Sequence, residues 1–128
     1  MRPTRLLGMS ALVVALCASA GLVQASGDGQ PPTNADITLA KGEINVKGHS
    51  GWHINMEYPW KIQLADGTKF DKNKNAEKFV FDAKDESLGG PAHVKVKAPS
   101  GPVLISGAIC SSGNGQCESF TKVPLTVP

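Results

Sequence analysis

Beyond Arg5 the sequence contains no arginine. That absence removes the planar guanidinium fork that grips phosphates and carboxylates with paired hydrogen bonds. It also leaves positive charge to lysines that acids match in number: without Arg2 and Arg5 the 13 basic residues fall to 11, against 11 Asp plus Glu. A chain so balanced lacks a basic field wide enough for nucleic acid or an anionic membrane surface, and neither is an expected partner. Aromatic residues are sparse at 5%, so the few present must supply most of the large core side chains. From residue 26 onward no stretch places apolar residues at helical spacing, and no internal repeat is visible. There is no nucleophile elbow and no paired-carboxylate pattern, so hydrolytic chemistry has no visible site, and no cofactor is expected.

The one long apolar run stands at the start. Arg2 and Arg5 precede an apolar stretch over residues 6–23, and Val23, Gln24 and Ala25 form a small-residue site before Ser26. Charged start, apolar middle and small-residue end are the layout of a secretory signal peptide, and residues 1–25 are expected to be removed on export. A lipoprotein signal using Cys17 is the rival, but Leu16 fills the preceding position, where a small residue is required. Residues 26–35 are rich in Gly, Pro, Gln, Ser and Asn and read as a flexible linker. Residues 36–128 remain, enough for one domain with a modest core. No stable membrane insertion is expected once the signal is gone.

The remainder reads as β-structure. In residues 52–64 Trp52, Ile54, Met56, Tyr58, Trp60, Ile62 and Leu64 alternate with polar residues or Pro59, the pattern of a half-buried strand. Pro59 lacks a ladder donor, so the strand is expected to bend or divide there. Shorter apolar segments recur at residues 37–39, 44–46, 79–81, 92–98, 103–109 and 123–127. Turn chemistry separates them, at Asp66 and Gly67, at Gly89, Gly90 and Pro91, and in the glycine- and serine-rich stretch 111–115. The polar stretch 71–78 reads as an exposed loop. Short strands divided by turns in about ninety residues predict two antiparallel sheets packed face to face, an immunoglobulin-like β-sandwich.

With Cys17 leaving in the signal, Cys110 and Cys117 are the remaining cysteines, an even pair that favours a disulfide in an exported chain. Cys110 ends the apolar run 103–109 and Cys117 begins the return toward Phe120. Gly113 and Gly115 between them allow a tight hairpin. Two readings follow. A loop of this length, once closed, stabilises the fold by roughly 2.5 kcal/mol in the chain-entropy treatment, so the bridge serves as a staple. Alternatively the pair exchanges disulfides with a partner. Neither cysteine adjoins a Lys, Arg or His in sequence, and Glu118 beside Cys117 disfavours a thiolate there.

Ala108, Ile109 and Cys110, a short polar loop, and then Cys117, Glu118, Ser119, Phe120, Thr121, Lys122, Val123, Pro124 and Leu125 resemble the cysteine hairpin of the N-terminal periplasmic domain of DsbD, the thiol:disulfide interchange protein. The resemblance implies an immunoglobulin-like fold, with Cys110 and Cys117 as the redox pair and Cys117 as the sulfur that joins the mixed disulfide. It implies electrons arriving from a thioredoxin-like partner and leaving to periplasmic thiol oxidoreductases. The loop between the cysteines is one residue longer than is usual in the family. No thioredoxin-like or membrane part follows Pro128, so the resemblance implies a stand-alone version that meets its donor in trans. For the aromatic cap that shields the family's cysteines, Phe70 and Phe79 are the candidates here.

A further motif surrounds His53. His49, His53, Asn55 and Glu57 share one face of any extended segment, and with His93 they offer a ligand set for copper or zinc. Alternation alone also predicts polar residues on the solvated face of a half-buried strand, and no metal site is assigned on this basis.

Overall fold

The computed structural model describes residues 24–25 and 28–128. The expected signal at 1–25, with Cys17, lies outside the described residues except for the backbone of Gln24 and Ala25. In chain order the strands are β1 (Gln24–Ala25), β2 (Ala35–Ala40), β3 (Glu43–Gly48), β4 (Trp52–Ile54), β5 (Lys61–Leu64) and β6 (Lys69–Asp71), followed by β7 (Phe79–Phe81), β8 (His93–Lys97), β9 (Gly101–Ser111) and β10 (Cys117–Val127). A 3-10 turn, Ala76–Lys78, precedes β7.

The strands form two sheets. One runs β2-β3-β8-β7 with every pairing antiparallel. The other runs β10-β9-β5-β6, with β4 also paired to β9, and is antiparallel apart from the short β1 lying parallel against Glu118 and Ser119 of β10. Counting β4 and β5 as one divided strand, the order is A-B-E-D in one sheet and G-F-C-C′ in the other. That is the immunoglobulin arrangement with one added edge strand.

The division of the third strand follows from its sequence. β4 lies against residues 109–111 of β9 and β5 against residues 103–106, so both halves use the same neighbour. Between them the chain bulges around Pro59. The indole Nε1 of Trp60 donates to the Asn55 carbonyl at 2.8 Å, and the Asn55 amide donates to Ala108 at 3.0 Å. Trp60 is fully buried and meets Phe120 and Phe81 edge-on, at centroid distances of 5.6 and 6.3 Å. The indole fits only because position 107 is glycine: a Cβ there would stand 2.3 Å from Cζ3 of Trp60.

Around that indole the inner faces close. Ile44 and Val46 of β3 and Val94 and Val96 of β8 meet Ile62 of β5, Ile105 and Ile109 of β9 and Phe120 of β10, all fully buried. Their alternation with exposed neighbours, as in the buried-exposed pattern of β8, turns every second side chain inward. Each such burial contributes roughly 1.5–3 kcal/mol. β6 was not expected as a strand; Phe70 in its centre is half-buried, while Lys69 and Asp71 are too polar for a periodicity signal over three residues. Strand β10 begins at Cys117, six residues before its expected start at 123. Its register slips between Phe120 and Val123, where Lys122 takes a positive φ of 51°, and this bulge masks the alternation.

A candidate disulfide site at one end of the sandwich

Strand β9 carries the chain to Ser111, and residues 112–116 turn it back into β10. Gly115, at φ 74°, takes the left-handed position of the turn, whereas Gly113 does not. The Ser111 amide donates to Gln116 at 2.6 Å, the Gly115 amide to Ser111 at 3.1 Å, and the Gln116 amide to the Asn114 side chain at 3.0 Å. The hairpin places Cys110 and Cys117 directly opposite each other, with Cα atoms 3.9 Å apart and the sulfurs bonded. Cys110 is 9% exposed and Cys117 is half-buried. In immunoglobulin domains the bridge joins strands B and F through the core; here it joins F and G at the rim.

The rim opens into a groove of about 440 Å³, lined by both cysteines together with His53, Met56, Glu57, Lys84 and Gly90. Met56 is 44% exposed, which puts a soft apolar side chain at the mouth. One wall is the loop over residues 82–91, which hydrogen bonds hold closed. The Asp85 amide donates to Gly90 at 3.1 Å, the Gly89 amide donates to Asp85 at 2.9 Å, and the Asp85 carboxylate accepts from the Ser87 amide and hydroxyl at 2.9 and 2.7 Å. The Ile54 amide ties the loop to β4 through Pro91, at 2.8 Å.

Glu118 does not bear on the cysteines as its sequence position suggested. Alternation along β10 turns it to the opposite face, where it is 3% exposed. One carboxylate oxygen accepts from the Thr33 amide and hydroxyl at 2.7 and 3.0 Å, the other from the Asn34 amide and side chain, both at 3.1 Å. Burial pushes its pKa up, but these donors outweigh burial and hold it below the ordinary carboxylate value. The stretch expected as a linker is thereby fixed at Thr33 and Asn34, one residue before β2 begins.

Neither Phe70 nor Phe79 caps the cysteines. Phe79 is 5% exposed within the core, and Phe70 lies under the Lys78 ammonium, 4.8 Å from its ring centre. The glycines of the 82–91 loop and Met56 stand beside the bridge in place of an aromatic.

The metal-ligand set is not brought together either. Strand β4 ends at Ile54, so the shared face stops short of Glu57. His49 pairs with Asp36 at 3.0 Å, His93 with Asp82 at 2.5 Å, and His53 with the Ser112 hydroxyl at 3.1 Å. Among the described residues no three His, Cys, Asp or Glu side chains converge as a metal site would require.

Ser112, Met56, Lys84 and Gly90 went unrecognised in the sequence as neighbours of the bridge. The turn residues Gly89, Gly90 and Pro91 were the only hint that the 82–91 loop could fold back on β4.

Fold and site together define a disulfide-bearing, two-sheet β-sandwich of immunoglobulin-like topology. No protein-family model, curated protein or solved structure matches the chain. Among the described residues no helix is long and apolar enough to cross a membrane.

Proposed function

We propose that this is an exported domain that exchanges disulfides with thiol oxidoreductases through Cys110 and Cys117, in the manner of the DsbD N-terminal domain. The observation that carries the reading is the position of the bridge: it lines an open groove at the rim, where a partner's sulfur can approach, and not the core between the sheets. Export rests on the signal layout of residues 1–25 and on the bridge itself, since disulfides persist in oxidising compartments.

In the exchange, a partner thiolate attacks Sγ of Cys117, the more exposed residue of the pair. The S–S bond breaks and its electron pair leaves on Sγ of Cys110. The partner's second thiol then attacks its own sulfur in the mixed disulfide and releases Cys117. The partner dithiol is oxidised to a disulfide, and this domain is reduced to a dithiol. Running the same steps backward reduces an oxidised partner.

The burial of Cys110 favours a second reading, in which the bridge only staples the hairpin of a non-catalytic binding module. Equilibration with glutathione buffers, followed by alkylation of free thiols, separates the two. An exchanging pair is expected near roughly −200 mV, and a staple below about −300 mV. A value in the lower range ends the exchange reading.

A further inference from the structure

The register of the rim sets three side chains abreast on one face of the sheet. His53 of β4 is the direct antiparallel partner of Cys110 on β9, and Cys110 is the direct partner of Cys117 on β10. Directly opposed residues in adjacent antiparallel strands carry their Cβ atoms about 4.5–5.5 Å apart. The Cβ of His53 thus neighbours that of Cys110, on the side away from Cys117, and His53 lines the same groove as both cysteines.

The ring is held in one orientation. The Ser112 hydroxyl donates to the Leu88 carbonyl and lies 3.1 Å from His53 Nδ1, an arrangement that suits a ring carrying its proton on Nδ1. In that tautomer the Nε2 lone pair is the ring's basic site. Gly89 and Gly90 close over the ring, and a Cβ at Gly90 would fall 2.7 Å from Cδ2.

We propose that His53 is the proton acceptor for Cys110 when the reduced pair passes its electrons on. The inference rests on the exchange reading above. Cys117 is first joined to the partner as a mixed disulfide; His53 then takes the proton from the Cys110 thiol. The resulting thiolate attacks Sγ of Cys117, the Cys117–partner bond breaks, and the electron pair leaves on the partner's sulfur. In the opposite direction the protonated ring returns its proton to Cys110 as the bridge opens. Burial lowers the imidazole's pKa more than the Leu88 carbonyl raises it, which keeps the ring neutral and able to accept near pH 7. The charged groups that share the groove with the ring are Glu57 on the turn after β4 and Lys84 on the loop above. Asp85 is turned back onto Ser87, and the Glu118 carboxylate faces the opposite side of the sheet.

The test uses the chemically reduced protein and equimolar dithiobis(nitrobenzoate). Attack by Cys117 releases a first thionitrobenzoate, and ring closure by Cys110 releases a second. A Cys110→Ala variant stops after the first and so assigns the second phase. In the wild type the closure rate is expected to show an inflection below the ordinary histidine value of 6.5, ahead of the thiol's own ionisation. His53→Gln is expected to lose that inflection and to close roughly tenfold or more slowly near neutral pH, regaining speed in alkali and on addition of free imidazole. A wild-type profile lacking the inflection overturns the proposal and needs no variant. Equal closure rates for His53→Gln and wild type across the range overturn it as well. The outcome is separable from the exchange reading, which the equilibrium potential decides: a staple-like potential leaves the His53 result standing, and a flat pH profile leaves the potential standing.

Discussion

Replacing Glu118 with glutamine probes the buried clip that fixes the start of the domain. The carboxylate receives four donors, two on each oxygen. Glutamine has one accepting oxygen and turns an NH₂ group toward two of them. The Thr33 hydroxyl can rotate and the Asn34 amide can flip to accept from it, but one backbone N–H, of Thr33 or of Asn34, then keeps no partner. A donor left without a partner against the buried Glu118 side chain costs roughly 1–3 kcal/mol, and the remaining part-buried bonds lose the charge assistance that made them stronger. The expected loss is about 2–3 kcal/mol, or roughly 8–24 °C in Tm for a domain of this size. Urea unfolding of the oxidised protein measures it. The pH dependence supplies an internal check. The folded pKa of Glu118 lies below its ordinary value of 4.5, so the unfolded chain binds the proton more readily. Its stabilisation is complete above about pH 4.5 and is lost as pH falls through the folded pKa. The wild-type advantage over Glu118→Gln should therefore shrink in acid, while contributions from the exposed Asp66 and Asp85, common to both proteins, cancel in the difference. A loss under about 0.5 kcal/mol, the range of ordinary surface changes, would rule out the clip as described, as would a difference that does not depend on pH.

Gly107→Ala drives a methyl group to within 2.3 Å of Cζ3 of Trp60, whose indole is fixed by Asn55, Phe120 and Phe81. The expected cost is at the upper end of about 1–3 kcal/mol, with tryptophan emission shifted to the red; unchanged stability and emission would show that the indole is not confined as described. Replacing Cys110 and Cys117 together with alanine should lower stability by about 2.5 kcal/mol relative to the oxidised wild type, read by urea unfolding. No loss would mean that the hairpin turn alone already closes the loop.

Much of the fold was legible because burial alternates with a period of two. The segments around Ile44, Phe79, Val94 and Ile105 are legible as short apolar stretches, most of them bounded by turn residues, and the strand of residues 52–64 divides near Pro59, which lacks a ladder donor. Where the alternation was interrupted, the reading failed. β6 is three residues long, and the first half of β10 hides behind Glu118, Ser119 and the bulge at Lys122. The sequence shows Phe70 and Phe79 as large side chains but not which sheet they join, and neither stands by the bridge.

The composition of the two faces, the turn positions and the pairing of two cysteines across a short loop can be read along the chain, because each depends on residues close together in it. What stands beside the bridge depends instead on packing between distant segments. His53 is 57 positions from Cys110, and the loop bearing Gly90 closes on it only after β4, β9 and β10 are in register. Glu118 shows the same division: its position beside Cys117 is a fact of sequence, but which face of the sheet receives its charge is set by the strand's pleat and by Thr33 and Asn34, more than eighty residues away.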